Sequence, residues 1–209
     1  MNHIKKSALS LAVAMAAVSA PSMSAETITE ALKEGDVSLS FRMRYEEVDV
    51  DGNDVDLTSL KTRLTYKSAD YKGFGGLIEM DDVTHISDFE GGVGDPEGTE
   101  VNQAYLAYTF SDTTVKYGRQ RILLDNQRFV GGVGFRQNEQ TYDGLTVVNK
   151  SLPDTTLFAA HIDNVNRIFG EDDPRGDHEN DTYLFNAKYT GFKAGALTAY
   201  AYLIDNEDA

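Results

Sequence analysis

Four arginines crowd into one Gly-rich stretch of a chain that is otherwise acidic. Residues 118–144 read GRQRILLDNQRFVGGVGFRQNEQTYDG and hold Arg119, Arg121, Arg128 and Arg136. Four more cations, Arg42, Arg44, Lys61 and Arg63, stand two residues apart in two neighbouring segments, and Lys188 falls in a later segment of the same kind. Positive groups so arranged can pass anions, because a cationic lining lowers the entry barrier and several weak sites in series let the ion leave again. Glu46, Glu79 and Asp81 fall on the same side of the alternation as these cations. A second reading therefore stays open, in which opposite charges pair with one another and brace a wall.

Other chemistry has less to stand on. The chain has no Cys, which removes disulfides, thiolate metal sites and cysteine nucleophiles. His161 with Asp163 would be the best start of a hydrolase constellation, such as that of an outer-membrane lipid hydrolase, but no GxSxG or other nucleophile motif accompanies them. The expectation is a polar His161 facing inward and no enzyme activity. FEGGVG from Phe89 and FVGGVG from Phe129 lack both GxGxxG and a following GK, so no nucleotide cofactor is expected. The segment Asp49–Asp54 fails as a calcium loop, since Asp54 stands where a glycine is needed and Leu60 where the closing Glu belongs; no metal is expected.

The elements that must position the arginines alternate with period two. Val37, Leu39, Phe41, Met43 and Tyr45 interleave with Ser38, Ser40, Arg42, Arg44 and Glu46, and Leu60, Thr62, Leu64 and Tyr66 interleave with Lys61, Arg63, Thr65 and Lys67. Weaker alternation runs through 74–83, 101–110, 115–124, 142–149, 156–166, 182–189 and 196–204. This pattern predicts nine antiparallel strands of a length suited to crossing a bilayer. Short connections at 68–73, 111–114, 150–155 and 190–195 alternate with long ones at 84–100, 125–141 and 167–181, the 51–58 connection being intermediate. An up-and-down meander with short periplasmic turns and long outer loops requires that order. Tyr66, Phe74, Phe110, Tyr117 and Tyr189 flank the short turns, as an aromatic belt at the headgroup level would.

Before the first strand, Lys5 and Lys6 precede an apolar run from Ala8 to Ala20 and the small residues Ser22 and Ser24. Residues 1–25 are expected to be a secretory signal peptide, since the run is too short to span a bilayer as a helix. Residues 26–36 then form a short periplasmic lead-in with a helix ended by Gly35, and 37–209 form an outer-membrane barrel domain. Nine is an odd number and single-chain bacterial barrels have even numbers, so this stretch is expected to be part of a larger barrel.

Charge is unevenly spread. The formal net charge is −15, with 34 acids against 19 bases, which argues against nucleic acid as a partner. Half of the acids, 17, lie in residues 49–56, 81–100 and 164–181, where the only bases are Arg167 and Arg175. The expected surroundings are outer-membrane lipid and lipopolysaccharide, with the barrel-assembly machinery as a folding partner.

The run from Tyr117 to Gly144, RMRYEEVD at Arg42, LKTRLTYKS in the second strand and Asn166-Arg167-Ile168-Phe169-Gly170 together resemble the alginate-export family of outer-membrane porins. The resemblance covers roughly residues 26–204. It implies a single-chain barrel of about 16 to 18 strands and export of an anionic polysaccharide through an arginine-lined lumen. The combined expectation is a transmembrane antiparallel up-and-down β-barrel that conducts anionic small molecules or uronate-type saccharides. Arg42, Arg44, Lys61, Arg63 and Lys188 would line its lumen. Arg119, Arg121, Arg128 and Arg136 would belong to an inward-folded constriction loop, with a bulge at Gly118 turning Arg119 and Arg121 inward. A non-conducting structural or adhesive barrel would share every strand argument.

Overall fold

Alternating side chains give a sheet with opposite faces, and here the charged face is the covered one. The computed structural model describes residues 6–14, 25–50, 53–87 and 95–205. They form β1 (Lys6–Ala14), α1 (Ile28–Lys33), β2 (Asp36–Val50), β3 (Asn53–Lys67), β4 (Phe74–His85), β5 (Gly98–Phe110), β6 (Thr113–Gln120), β7 (Thr141–Asn149), β8 (Thr155–Asn166), β9 (Asp177–Phe192) and β10 (Gly195–Leu203). The strands make one sheet in sequence order, each paired antiparallel with the next. The fold is thus all-β and up-and-down, and β2 to β10 are the nine strands expected. No helix among the described residues is long and apolar enough to cross a membrane, so any crossing falls to the strands.

On one face Leu106 is 72% exposed, and Leu39, Met43, Leu64, Ile78 and Phe185 are also open; on the other, Arg44 is 3% and Lys61 5% exposed. A sheet built this way has its apolar face toward solvent unless lipid takes that place. Aromatic side chains gather on the open face near the short turns. Phe74 stacks on Tyr108 with centroids 4.3 Å apart, Tyr108 on Phe110 at 5.6 Å, and Tyr189 meets Phe192 edge-on at 4.9 Å.

Three details depart from the sequence expectation. The first outer connection is tighter than 51–58, because the β2–β3 ladder continues to the pair Val50↔Asn53. β6 stops at Gln120 instead of reaching Leu124. Finally, Lys6–Ala14, inside the segment read as a removable signal, pairs with β2 from Lys6↔Val48 to Ala14↔Ser40. The unpaired N–H and C=O groups of an edge strand accept any extended segment within reach, and the uncleaved chain supplies one.

The lead-in helix forms as expected and is tied to the short-turn side. Thr27 and Glu30 make a reciprocal capping box. Tyr66 Oη donates to Leu32 O at 2.6 Å and Ala69 N to Ala31 O at 3.0 Å, which docks α1 beside the end of β3.

Candidate functional site

The inner face is identified by what covers it: residues 121–140, the connection between β6 and β7, fold back across it. Its first half is held by apolar packing. Ile122 and Val130 bury against Ala160 and Ile162 of β8, Leu184 of β9 and Tyr142 of β7, with Leu124 and Phe158 alongside. Tyr142 Oη accepts from Gly131 N at 3.0 Å and donates to Gly131 O at 2.9 Å, pinning the loop to β7. Further out, Asn186 Nδ2 and Tyr202 Oη both donate to Asp125 Oδ2, at 2.8 and 3.2 Å. The loop therefore touches β9 and β10 before it turns back.

Its second half is polar and reaches β2 and β3. The Arg42 guanidinium donates to three consecutive carbonyls, Gly134 O at 3.1 Å, Arg136 O at 2.9 Å and Phe135 O between them. Gln137 has no exposed surface, and its amide donates to Arg42 O at 3.1 Å and to Ser59 Oγ at 3.0 Å. These bonds join residues more than seventy positions apart, which only an inward fold achieves.

Glu139 follows at the centre of the charge network. It lies 3.5 Å from Lys61 Nζ, 3.0 Å from Arg63 Nη2, and accepts from Arg121 Nε at 2.6 Å. Arg63 also makes a two-pronged contact with Asp81, both bonds 2.6 Å, and Arg121 reaches Glu79 at 3.0 Å. Arg44 pairs with Asp95 at 2.7 Å and with Glu46 at 2.9 Å, and Arg136 joins Glu46 at 3.3 Å. Three facing cations outweigh burial and hold the Glu139 carboxyl down to about 2, well below its ordinary 4.5. Arg42, Arg44, Lys61, Arg63, Arg121 and Arg136 thus meet Glu46, Glu79, Asp81, Asp95 and Glu139, six cations against five carboxylates. The pairing reading of these charges describes the cluster better than a free positive ring does.

Six of the nine cations singled out in the sequence therefore converge, and three do not. Lys188 shares the inner face with Leu184 and Asn186 but stands nearer the short turns, exposed and apart from the cluster. Arg128 is exposed on the loop, its guanidinium 5.4 Å from the Phe129 ring, and Phe129 lies 6.1 Å from Tyr200 of β10. Arg119 is on the outer face, bound to Asp143 at 3.0 and 3.2 Å and to Glu171 at 3.2 Å.

The expected bulge at Gly118 is absent: the ladder runs unbroken through Tyr105↔Gly118 and Gly118↔Gly144, so Arg119 keeps the outward phase. Arg121 turns inward because β6 ends one residue before it. Register shifts occur elsewhere. An extra residue, Asn102, in β5 leaves two successive side chains on one face, and Asn102 and Gln103 both donate to Glu79 Oε1, at 2.7 and 3.0 Å. Gly131, Gly132 and Gly134 suit an inward-folded loop by permitting close approach of the backbone and positive φ, and only the close approach is used here. None of Gly131, Gly132 and Gly134 has a positive φ, which falls on Asp125, Gln127 and Val133; Gly131 is needed because a Cβ there would lie 2.6 Å from that of Gln127.

His161 is a further correction, for it lies on the outer face. It bonds Asp181 at 2.8 Å, stands 3.4 Å from Asp163 and packs 4.7 Å from the Tyr183 ring. The phase of β8 is set by Phe158, Ala160 and Ile162 turning inward under the loop's apolar root. Greasy residues do not all face lipid once a folded-in loop offers them a partner.

Asp95, Asn102, Gln103, Gln137 and Glu139 escaped the sequence reading altogether. Polar side chains there carry no motif; the inward path of 121–140 gives Gln137 and Glu139 their role, while Asp95 is drawn in by Arg44 and Asn102 and Gln103 by Glu79. Residues 88–94, which include the whole FEGGVG segment, lie outside the described part of the chain, as do the side chains of 48–50 and 53–55.

One comparison with known proteins is informative. The sequence profile of the family described as Campylobacter major outer membrane protein matches residues 1–188. No curated protein and no solved structure matches. This match supports the outer-membrane porin that the alginate-export likeness implied and lends no support to the alginate-export family itself.

Proposed function

Since the chain belongs to the Campylobacter major outer membrane protein family and is a porin of the cell outer membrane, we propose that it lines a diffusion channel for small hydrophilic solutes, constricted by residues 121–140 and only weakly anion-selective. The observation that carries this reading is the span of that loop, anchored through Asp125 at β9–β10 and through Gln137 at β3. A loop so placed narrows a lumen without needing a separate plug.

Selectivity follows from the charge pairing. A solute passing Arg63 meets Asp81 and Glu139 on the same guanidinium, so the field it feels is that of a nearly balanced cluster with one cation in excess. Unpaired Arg128 and Lys188 add positive potential at some distance from it. Organic and inorganic anions are then favoured modestly over cations. A uronate polymer is not part of this proposal, because a polyanion would need a ladder of free arginines, whereas Arg44, Arg63, Arg121 and Arg136 are committed to carboxylates and Arg42 to backbone carbonyls.

Conductance of the full-length protein in planar bilayers tests the reading. We expect stable ionic current and an anion-to-cation permeability ratio of only a few. A correctly folded barrel that carries no current is instead the structural or adhesive barrel, and a strongly cation-selective current would refute the charge argument.

A further inference from the structure

On the short-turn side of the loop, the inner wall has a second basic feature of a different kind. Lys67 at the end of β3 and Lys116 in β6 share the inward phase of Lys61, Arg63 and Gln120. Neither makes an ion pair with a described carboxylate, unlike Arg44, Lys61, Arg63, Arg121 and Arg136 of the constriction. They lie near enough to feel one another's charge. Between them the floor is low, since Gly75 of β4 and Ala107 of β5 face each other across the ladder and offer no bulk. The result is a cavity of about 710 Å³ bordered by both lysines, with Tyr105, Ser68 and Thr114 adding polar groups and Lys116 Nζ resting 4.5 Å from the Tyr105 ring centroid.

Acids do reach this cavity, but from one side. Glu34 and Asp36 border it beyond Lys67, Asp36 being the ladder partner of that lysine, and Asp70 sits in the turn. Among the described residues the stretch between Lys67 and Lys116 contains no carboxylate: the next acid along β4, Glu79, is taken up by Arg121, Asn102, Gln103 and Thr65. Three ladder spacings separate β3 from β6, about 14 Å at roughly 4.8 Å each, which two extended lysine side chains can narrow to the length of a small ligand.

We propose that Lys67 and Lys116 form a binding site for a doubly charged small oxyanion, a phosphate or a dicarboxylate, at the periplasmic mouth of the channel. It rests on the channel reading above and adds a place where such solutes dwell before or after the constriction. Two ammonium groups with a void between them repel until an anion with two charges takes the space, whereas a monovalent ion satisfies only one of them.

The test is block of chloride current through the full-length protein in planar bilayers by inorganic phosphate or succinate, with acetate as the monovalent control. Block from the side of the short turns at concentrations where acetate is inert is the expected result. The dianion that acts at lower concentration shows whether the site takes its two charges together or apart. In the pair Lys67→Gln with Lys116→Gln, the half-blocking concentration should rise about tenfold or more, while Lys150→Gln in a neighbouring short turn leaves it unchanged. The pair Lys67→Arg with Lys116→Arg should retain block. Current that neither dianion affects, or equal block in the Gln pair and the unmutated protein, overturns the site. Absence of current in the unmutated protein removes the channel reading instead.

Discussion

Arg121 and Glu139 close the neck of the inward loop: the guanidinium Nε of the first donates to the carboxylate of the second at 2.6 Å, one residue beyond β6 and two before β7. Both also face the wall, Arg121 toward Glu79 and Glu139 toward Lys61 and Arg63. The clasp that shapes the loop is thus the same set of charges that a solute passes.

Acid should leave this clasp intact over a wide range. The Glu139 carboxyl is lowered in the folded protein, so its contribution is fully present above its ordinary value of 4.5 and is lost only as pH falls through about 2. Single-channel conductance at pH 4 is expected to match that at pH 7. Glu139→Gln should do at neutral pH what strong acid does, leaving Lys61, Arg63 and Arg121 to share only Glu79 and Asp81, at a cost of about 3 kcal/mol, and raising anion preference in reversal-potential measurements. An unchanged reversal potential would remove Glu139 from the pore lining.

Arg42 is expected to act as a latch. One guanidinium serves three successive carbonyls, and bonds from charged donors contribute about 1.5–3 kcal/mol. Arg42→Ala should release the tip of the loop and give larger, noisier openings. Arg42→Lys should not restore the quiet state, because a compact ammonium cannot reproduce the fork. Current recordings of the two variants check this directly.

Gly144 should be intolerant. It faces Gly118 across the ladder with φ of +157°, and a methyl group there would collide with the His161 carbonyl. Gly144→Ala is expected to destabilise the barrel by about 1–3 kcal/mol, read as a lower urea midpoint for unfolding from detergent micelles. The backbone of β8 would have to move away for the change to be silent.

Arg119 should matter little to conduction. Its bonds to Asp143 and Glu171 lie on the outer face and are partly open to solvent, where such pairs contribute about 1 kcal/mol or less. Arg119→Ala should leave reversal potential and conductance unchanged. A shift in either would bring this side chain into the lumen.

Much of this fold could be read from alternation, because a strand has only two faces and the chain changes polarity at each step. The strand count, the order of long and short connections and the inward phase of Arg42, Arg44, Lys61 and Arg63 all follow from that regularity. Failures occur where a third body intervenes. A polar His161 belongs inward if greasy residues face lipid, but β8 has apolar residues on both faces, and the loop's Ile122 and Val130 decide between them. The network around Glu139 was hidden for the same reason: its members come from β3, β4 and the first residue past β6, and no spacing in the sequence announces which loop residue will reach them.

The acidic outer connections have an effect beyond the barrel wall. Glu97, Glu171, Asp172, Asp177 and Glu179 stand at the end of the sheet opposite the short turns, where among the described residues they outnumber Arg119, Arg167 and Arg175. Mobile cations gather around such a rim and chloride is depleted, over a distance of about 8 Å at physiological ionic strength and about 30 Å at about 0.01 M. The entrance therefore works against the lysine-bearing mouth at the other end. In dilute electrolyte the current should rectify, and concentrated salt should flatten it.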